Sequence, residues 1–473
     1  MKRMRKSGSG IESVVLAILI ALGMVAGLTS CGDSGSSTGG GSKPSPTTVI
    51  SLHLSPLNPS APVGSSEQFF ATATYGDQST KDVTTLATWT SSDTSTATVG
   101  SQGDLHPGRA TAVALGSATI TVAFGEKTQR STLTVASNAD RVPLIDLLGS
   151  QRYLGFPGGL YENASDVMPA DHNARGLTAA GSIRPLDSNG NPNTSGKVVF
   201  VSIGRSTEQD EFSAFASQAS TTSGVNHTSL VLANGASSGV GPCYWTLASG
   251  APPCEPVQGN QYDRIRDSVL TPLGVGEKQV QVAWIEIYNA DPAADGFQAL
   301  CDKTVSGCTD DVTHSEMVRM EQQVGQILRA AKIRWPNLKE AFLSSRLYAG
   351  YETSNHAPEP YSYEYGFSVK AVVEAQVVQM RSGGATVDPV AGNLNSSAGV
   401  APWIAWAPYV WANGDTPRSD GFIWCNGQTS SPCNGEVDFQ YDGIHGTSVG
   451  YGKISDLFMS FFLSSPYTPW FRP

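Results

Sequence analysis

Basic residues are scarce in this chain of 473 residues, which has 30 Lys and Arg against 41 Asp and Glu and a formal net charge of −11. Nucleic acids and anionic membrane surfaces attract proteins through clusters of basic side chains. The charge balance therefore argues against both kinds of partner, although it carries no information about the fold. We expect no binding to nucleic acid.

The usual signature of a zinc site is also missing, because the chain has no Cys-x-x-Cys pair and no cluster of His. Six of the seven Cys instead form three close pairs along the sequence, each in a loop between predicted elements. The pairs are Cys243–Cys254, Cys301–Cys308 and Cys425–Cys433. Three disulfides formed in an oxidising compartment are the simplest interpretation, although sequence alone does not fix the pairing. We predict no bound metal.

The apolar run from Val14 to Leu28 is short for a membrane span, and a basic segment precedes it. It leads into Leu-Thr-Ser-Cys at positions 28–31, which resembles the lipobox of bacterial lipoproteins, where the Cys becomes the lipidated first residue. A transmembrane anchor and a plain secretory signal are the alternatives. We predict a signal peptide over residues 1–30 and an exported lipoprotein, anchored to a membrane through Cys31 on its periplasmic or cell-surface side.

Residues 48–136 have no helical period and contain short alternating runs rich in Thr, Val and Ala, separated by turn residues. This pattern predicts a small all-β sandwich. The stretches Trp89–Asp93 and Gly116–Val122 resemble the group 2 bacterial immunoglobulin-like domain. The resemblance implies a spacer or an adhesion module without catalytic chemistry. The preceding residues 31–47 are rich in Gly, Ser, Thr and Pro, and they predict a flexible tether.

In residues 140–473, apolar strand-like runs alternate with helical patterns. The predicted strands are 198–204, 228–234, 279–287, 339–349 and 401–407, and the helical patterns are 211–220, 263–272, 313–334, 367–381 and 446–463. This alternation predicts an α/β three-layer sandwich, in which helices cover both faces of a mostly parallel sheet. Ligands bind beyond the carboxyl ends of such strands. The loop-rich segment 141–196 has no assignment.

An Asp and a His, Asp442 and His445, stand three residues apart at the start of the last helical pattern. In an acyl hydrolase, an imidazole acts as general base and a carboxylate fixes its tautomer. The nucleophile should follow a strand far upstream, and Ser206 comes two residues after the run 198–204. Alone, each piece could be an ordinary turn or cap, but their order in the chain favours catalysis. We predict Ser206, His445 and Asp442 as catalytic residues.

From about residue 198 to 465, the order of these residues resembles the SGNH (GDSL-type) hydrolase family. The Asp-x-x-His spacing that ends at His445 matches the family, and Gly-Arg-Ser-Thr at 204–207 stands where the family has its nucleophile. This second stretch departs from the family's usual Gly-Asp-Ser-Leu. The resemblance implies an SGNH/flavodoxin-like fold and a serine esterase that needs no cofactor.

The resemblance also implies an oxyanion hole of three donors. The backbone N–H of Ser206 is the first, and a Gly N–H after the second strand is the next, for which Gly239 is favoured over its rival Gly235. The side-chain amide of Asn289, after the third strand, is the last. Ordinary turn roles for both Gly, and an N-cap or turn role for the Asn, are the alternatives.

Aromatic residues are concentrated in the loop predicted after the fifth strand. Four residues at the end of this strand and in the loop are predicted at the rim of the substrate site: Trp406, Tyr409, Trp411 and Arg418. Aromatic faces flanked by polar groups suit a sugar ring, whereas packing in the core or the loop is the alternative interpretation.

The sequence therefore favours an exported serine esterase that removes O-acetyl or similar acyl groups from carbohydrate. A catalytically inactive cell-surface protein that binds carbohydrate, or mediates adhesion, on the same fold is the alternative. A lipase or thioesterase would need a continuous apolar groove at the site instead.

Overall fold

The computed structural model describes residues 47–473 apart from 56–58, 63–65, 137–140, 302, 304–308 and 354–355. The predicted signal peptide, the lipidation site at Cys31 and most of the tether lie outside the described residues. Cys308, one partner of a predicted disulfide, also lies outside them. Within the described ranges, no helix is both long enough and apolar enough to cross a membrane.

The N-terminal region is built from strands alone, as the sequence predicts. Its strands are β1 (Val49–Ser55), β2 (Ser60–Pro62), β3 (Ser66–Gln68), β4 (Phe70–Tyr75), β5 (Thr80–Asp82), β6 (Thr88–Ser91), β7 (Ala97–Val99), β8 (Arg109–Ala112), β9 (Gly116–Phe124) and β10 (Lys127–Ala136). They pair as β1-β4-β5, β2-β10-β9-β6 and β3-β8-β7. Three alternate residues of β9, Ala118, Ile120 and Val122, are buried, and they pack with Trp89 in a core separate from that of the rest of the chain.

The segment without a sequence assignment contains regular structure. A short hairpin joins β11 (Arg152–Tyr153) to β12 (Phe156–Pro157), and helix α1 (Ala170–Ser182) follows. A Cβ atom on Gly176 of α1 would lie 2.3 Å from the ring of Trp403, so only glycine lets this helix approach so closely. Helix α1 carries few large apolar residues, which is why its period is weak in the sequence.

A five-stranded parallel sheet forms the centre of the C-terminal region. The remaining elements are β13 (Val198–Gly204), α2 (Ser206–Thr221), β14 (Leu230–Ala233), α3 (Gln261–Ile265), β15 (Val280–Glu286), α4 (Glu316–Arg334), β16 (Glu340–Leu343), α5 (Tyr361–Arg381), β17 (Trp403–Trp406) and α6 (Ser448–Ser464). The strand order is β14-β13-β15-β16-β17, and every pairing is parallel. The mostly parallel sheet predicted from the sequence is therefore confirmed.

Successive residues of β15 show that helices cover both faces of this sheet. Trp284 packs against Phe212 of α2 and Phe458 of α6. Ile285, the next residue, points to the opposite face, where it lines a small cavity with Met320 of α4 and residues of α5. The strand is buried along its whole length, which explains its continuous apolar sequence.

Two of the predicted disulfides are present. Cys243–Cys254 and Cys425–Cys433 have Cα–Cα distances of 5.9 Å and 5.6 Å. The second closes a loop between β17 and α6, upstream of the predicted Asp–His pair.

Candidate active site

Ser206, His445 and Asp442 come together beyond the carboxyl end of β13. The Ser206 Oγ lies 2.9 Å from the His445 Nε2, and the His445 Nδ1 lies 2.6 Å from the Asp442 Oδ2. With the proton on Nδ1, the imidazole donates to the carboxylate and accepts from the serine hydroxyl. Each of the three residues is partly accessible to solvent. This is the arrangement in which a histidine can remove the proton of a serine nucleophile.

The turn from β13 into α2 places Ser206 at the first position of the helix. A Cβ on Gly204 would lie 2.3 Å from the side chain of Glu208 and 2.5 Å from the carbonyl oxygen of Glu286. Glycine is therefore required where the chain leaves the sheet. Because the first N–H groups of a helix have no partner within it, the Ser206 N–H is available to a ligand.

Backbone hydrogen bonds hold the loop that carries the Asp–His pair. The Asp442 Oδ1 accepts from the N–H groups of Ile444 and His445, each at 3.1 Å. Gly443 has φ of +75°, and a Cβ there would lie 1.9 Å from the carbonyl oxygen of Tyr351. Glycine is thus needed both for its backbone conformation and for close packing.

Hydrogen bonding keeps Asp442 ionised. Partial burial acts to raise the pKa of its carboxyl, but the His445 side chain and the N–H groups of Ile444 and His445 outweigh burial, so the pKa lies below its ordinary value. A carboxylate here fixes the Nδ1 tautomer of the imidazole and stabilises the imidazolium that forms when the histidine takes a proton.

Asp438 anchors the same loop from inside the protein. Its side chain is fully buried, and its Oδ2 accepts from the Lys453 Nζ at 2.6 Å and from the N–H of Cys425 at 2.7 Å. Its carbonyl oxygen accepts from the N–H of Thr447 at 2.7 Å. The carboxyl of Asp438 therefore joins the disulfide loop to α6, and its main-chain carbonyl oxygen holds the residue that follows the Asp–His loop.

Of the two candidate glycines for the oxyanion hole, Gly239 is the accessible one. It is exposed, has φ of +76°, and a Cβ there would meet nothing within 4 Å. The loop stays beside β13 because the N–H of Ser237 donates to the Gly204 carbonyl oxygen at 3.1 Å. Gly235, the rival, is buried and its N–H already donates to the Ser202 Oγ at 3.1 Å. The rival assignment therefore lacks a free donor.

Asn289 follows β15 as predicted, but its amide points away from the predicted role. The Asn289 Nδ2 donates to the Glu316 Oε1 at 2.7 Å and to the Gln323 Oε1 at 2.9 Å, both on α4. The side chain of Asn289 is buried. The main-chain carbonyl oxygen of the same residue accepts a hydrogen bond from the hydroxyl of Tyr365. Both amide hydrogens are thus used between the sheet and α4, so the prediction of a third oxyanion donor does not fit this conformation.

The four residues predicted at the substrate rim are buried instead, with exposed fractions of at most 5%. Each makes interior hydrogen bonds: Trp406 to the Leu160 carbonyl oxygen, Tyr409 with the Leu144 N–H, Trp411 to the Glu359 carboxyl, and Arg418 to main-chain carbonyl oxygens of the same loop. Their polar atoms form hydrogen bonds with groups in the protein interior. The prediction that these residues form a surface for a sugar ring is therefore wrong, and the alternative, packing in the core or the loop, is correct.

Sequence reasoning missed a cluster of buried carboxyls, two of them on the helix that begins at Ser206. Oxygens of Glu208, Glu211 and Glu286 lie within 4.8 Å of one another. Burial raises the pKa of all three, that of Glu211 to about 7. The charge of nearby Arg346 acts in the opposite direction on Glu211 and Glu286. Carboxyl oxygens at these distances could also bind a cation, but protonated carboxyls need no cation to balance their charge. The sequence held one sign of this cluster: Glu208 and Glu211 are three residues apart on α2, and the apolar strand β15 ends in Glu286.

Comparison with known proteins identifies the N-terminal region. Residues 48–135 match the bacterial Ig-like domain (group 2) family. A stretch of 102 residues is 37% identical to Ice-binding protein 1 of Shewanella frigidimarina (strain NCIMB 400). This stretch covers 22% of this chain and 11% of that protein. The chain thus spans about a tenth of the length of this relative. No SGNH hydrolase domain is matched by a family model.

Similarity to solved structures is limited. Domains 4 and 5 of the S-layer protein SbsC are 23% identical, with a TM-score of 0.17 and coverage of 19% of this chain and 53% of that chain. A putative alpha-galactosidase from Bacteroides fragilis NCTC 9343 is 10% identical, with a TM-score of 0.16. The match covers 90% of this chain and 81% of that chain. Scores this low carry no argument about the C-terminal region, whose chemistry has to be argued from its own residues.

Proposed function

We propose that this chain is a serine esterase with Ser206 as nucleophile, His445 as general base and Asp442 as the residue that orients the histidine. The observation that carries the proposal is the continuous pair of hydrogen bonds, 2.9 Å from the Ser206 Oγ to the His445 Nε2 and 2.6 Å from the His445 Nδ1 to the Asp442 Oδ2. The sheet order β14-β13-β15-β16-β17 supports an SGNH/flavodoxin-like fold for this region.

The reaction would proceed by acyl transfer in two halves. The His445 Nε2 takes the hydroxyl proton as the Ser206 Oγ attacks the ester carbonyl, and it then gives that proton to the departing alcohol. Water, deprotonated by the same nitrogen, attacks the acyl-serine and releases the carboxylic acid. Asp442 stabilises the imidazolium in both halves. No step requires a metal or an organic cofactor.

Two backbone donors are proposed for the oxyanion, the N–H of Ser206 at the start of α2 and the N–H of Gly239. The α2 macrodipole adds partial positive charge at the same point. Each such donor is typically worth about 10²–10³ in rate. Asn289 is left out of this set because its amide is bonded to α4.

The proposed substrate is an acylated carbohydrate, with O-acetyl as the acyl group, and the proposed location is the periplasmic or cell-surface side of a membrane. These parts rest on the sequence at residues 1–31 and on the Ig-like domain that precedes the catalytic region. The aromatic residues at the end of β17 and in the loop after it give no support to a carbohydrate substrate, because they are buried.

A catalytically inactive binding or adhesion protein remains the second candidate, favoured by the orientation of Asn289. Treatment with diisopropyl fluorophosphate separates the two, because this reagent phosphorylates an activated serine far faster than an ordinary serine. The esterase predicts a single adduct on Ser206, found by peptide mass spectrometry and absent from His445→Ala. No adduct on folded protein, together with retention on an acetylated glycan without acetate release, would support the binding protein.

A further inference from the structure

Arg205, the residue before Ser206, is a charged side chain for which the described residues supply no hydrogen-bond acceptor. It occupies the N-cap position of α2 and is only partly exposed. Its Nε is buried and has no hydrogen-bond partner, and no other described group accepts a hydrogen bond from the guanidinium. An arginine stays protonated in proteins and has five N–H donors to satisfy.

The neighbouring Arg346 differs from Arg205 in that both of its terminal nitrogens have acceptors, although its buried Nε, like that of Arg205, has no partner among the described residues. Its Nη1 donates to the Thr207 Oγ1 at 3.1 Å, and its Nη2 donates to the His356 carbonyl oxygen at 3.2 Å. Its charge also lowers the pKa of Glu211 and Glu286, against the effect of burial. By contrast, the carboxyl oxygens of the buried cluster, Glu208, Glu211 and Glu286, accept no hydrogen bond from Arg205.

The surroundings of Arg205 keep the guanidinium beside the proposed oxyanion loop. It lies over the ring of Tyr288 at 5.1 Å from the centroid, and Arg346 lies over the same ring at 3.6 Å. A Cβ on Gly241 would lie 3.1 Å from the Arg205 Nη1, so a side chain there would crowd it. Gly241 is two residues beyond Gly239. Two guanidinium groups thus lie on one ring, and the described residues supply no acceptor for that of Arg205, so its positive charge stays uncompensated beside the loop that contains Gly239 and Gly241.

We propose that Arg205 binds a carboxylate of the substrate, close to the scissile ester. This proposal rests on the proposed esterase function and narrows it to acylated substrates that carry an acidic group. A guanidinium presents two parallel N–H groups, which match the two oxygens of a planar carboxylate better than the single oxygen of a tetrahedral intermediate. The start of α2 adds partial positive charge on the same side.

The test compares two acetylated sugars that differ only in the carboxylate, O-acetylated methyl glucoside and O-acetylated methyl glucuronide. The full chain in detergent should prefer the glucuronide, mainly through KM. Arg205→Gln should lower kcat/KM for the glucuronide by about 10- to 100-fold, because a charge-assisted pair is lost. It should change hydrolysis of the neutral glucoside by less than about threefold, which also shows that the variant folds. Arg205→Lys keeps the positive charge but lacks the paired N–H groups of the guanidinium, so its kcat/KM for the glucuronide should lie between those of the parent and Arg205→Gln.

The exposed Arg152, whose guanidinium caps carbonyl oxygens of its own turn, supplies the control Arg152→Gln, with both rates unchanged. An equal loss on both sugars in Arg205→Gln would overturn the proposal and assign Arg205 to the oxyanion. Absence of any preference in the parent chain would overturn it as well.

Binding separates this proposal from the proposed function. Calorimetric titration with glucuronate, with glucose as the neutral probe, needs no turnover. Binding of glucuronate alone, lost in Arg205→Gln, would support the carboxylate site even if the chain hydrolysed neither acetylated sugar, in which case only the esterase would fail. Equal affinity for glucuronate in Arg205→Gln and the parent would contradict the site.

Discussion

The Ser206 Oγ and the His445 Nε2 lie 2.9 Å apart although 239 positions separate the two residues in the chain. Both follow from the topology of one parallel sheet. Ser206 begins the helix that leaves the carboxyl end of β13, and His445 lies just before α6, which packs against that helix. The pair of helices thus places the proposed nucleophile and the proposed base over the same edge of the sheet, where ligands of such folds bind.

Replacing the orienting carboxylate should leave binding intact and remove catalysis. We expect Asp442→Asn to lower kcat by about 10³–10⁴ and to change KM by less than about threefold, because an amide favours the wrong imidazole tautomer. Steady-state hydrolysis of p-nitrophenyl acetate measures both constants. Asp456→Asn, an exposed aspartate on α6 that accepts only from Gln218, is the control. A kcat within tenfold of the parent would remove Asp442 from the mechanism.

Gly443 should be intolerant of any side chain. Gly443→Ala would put a Cβ 1.9 Å from the Tyr351 carbonyl oxygen at a residue with φ of +75°, so the loop between Asp442 and His445 must move. We expect kcat to fall at least about 100-fold, since a shift of about 1 Å in a catalytic group can cost that much. Gly452→Ala, on α6 with open space around its Cα, should keep full activity and be slightly more stable. Full activity in Gly443→Ala would show that the loop geometry is not needed.

Asn289 should matter for stability and little for the chemical step. Asn289→Ala leaves the Glu316 carboxyl without one of its donors, and we expect a loss of about 1–3 kcal/mol in the free energy of unfolding. If the amide served the oxyanion, kcat would instead drop by about 10²–10³. Urea unfolding and ester hydrolysis, measured on one preparation of the variant, distinguish the two. A large loss of kcat without a loss of stability would restore the oxyanion role.

The buried carboxyl cluster should make the protein less stable as the pH rises. Burial raises the pKa of Glu211 from 4.5 to about 7, so the folded state holds a proton that the unfolded chain has lost. Between these two values the folded state binds more protons, and the free energy of unfolding falls as the pH increases.

Glu211→Gln removes the contribution of Glu211 to this pH dependence, whereas Glu208 and Glu286 keep theirs. We expect the variant to match the parent within about 0.5 kcal/mol at pH 5 and to exceed it by about 1–3 kcal/mol at pH 8, where the parent carries a buried charge. Chemical unfolding followed by tryptophan fluorescence gives both values, and the exposed Glu126→Gln is the control. An identical pH profile for Glu211→Gln and the parent would contradict the raised pKa.

The sequence was sufficient where the physical signal is local. The buried strands of the parallel sheet are continuous apolar runs, as in β15. The Asp-x-x-His spacing involves only four consecutive residues, 442–445. Orientation of side chains was not predictable, because it depends on elements distant in the chain. The amide of Asn289 is directed by Glu316 and Gln323 of α4, and Trp411 is drawn inward by the Glu359 carboxyl. Helix α1 was missed since its contact with Trp403 requires small residues, which carry no apolar period.

Hydrolysis of p-nitrophenyl acetate by the full chain in detergent, beside Ser206→Ala and His445→Ala, tests the central claim most directly. Ser220→Ala on the same helix and His227→Ala are matched controls, because both side chains are exposed and make only local hydrogen bonds to main-chain carbonyl oxygens. The account predicts turnover by the parent and both controls, and its loss in the two triad variants by about 10³-fold or more. Undiminished turnover in Ser206→Ala would contradict it.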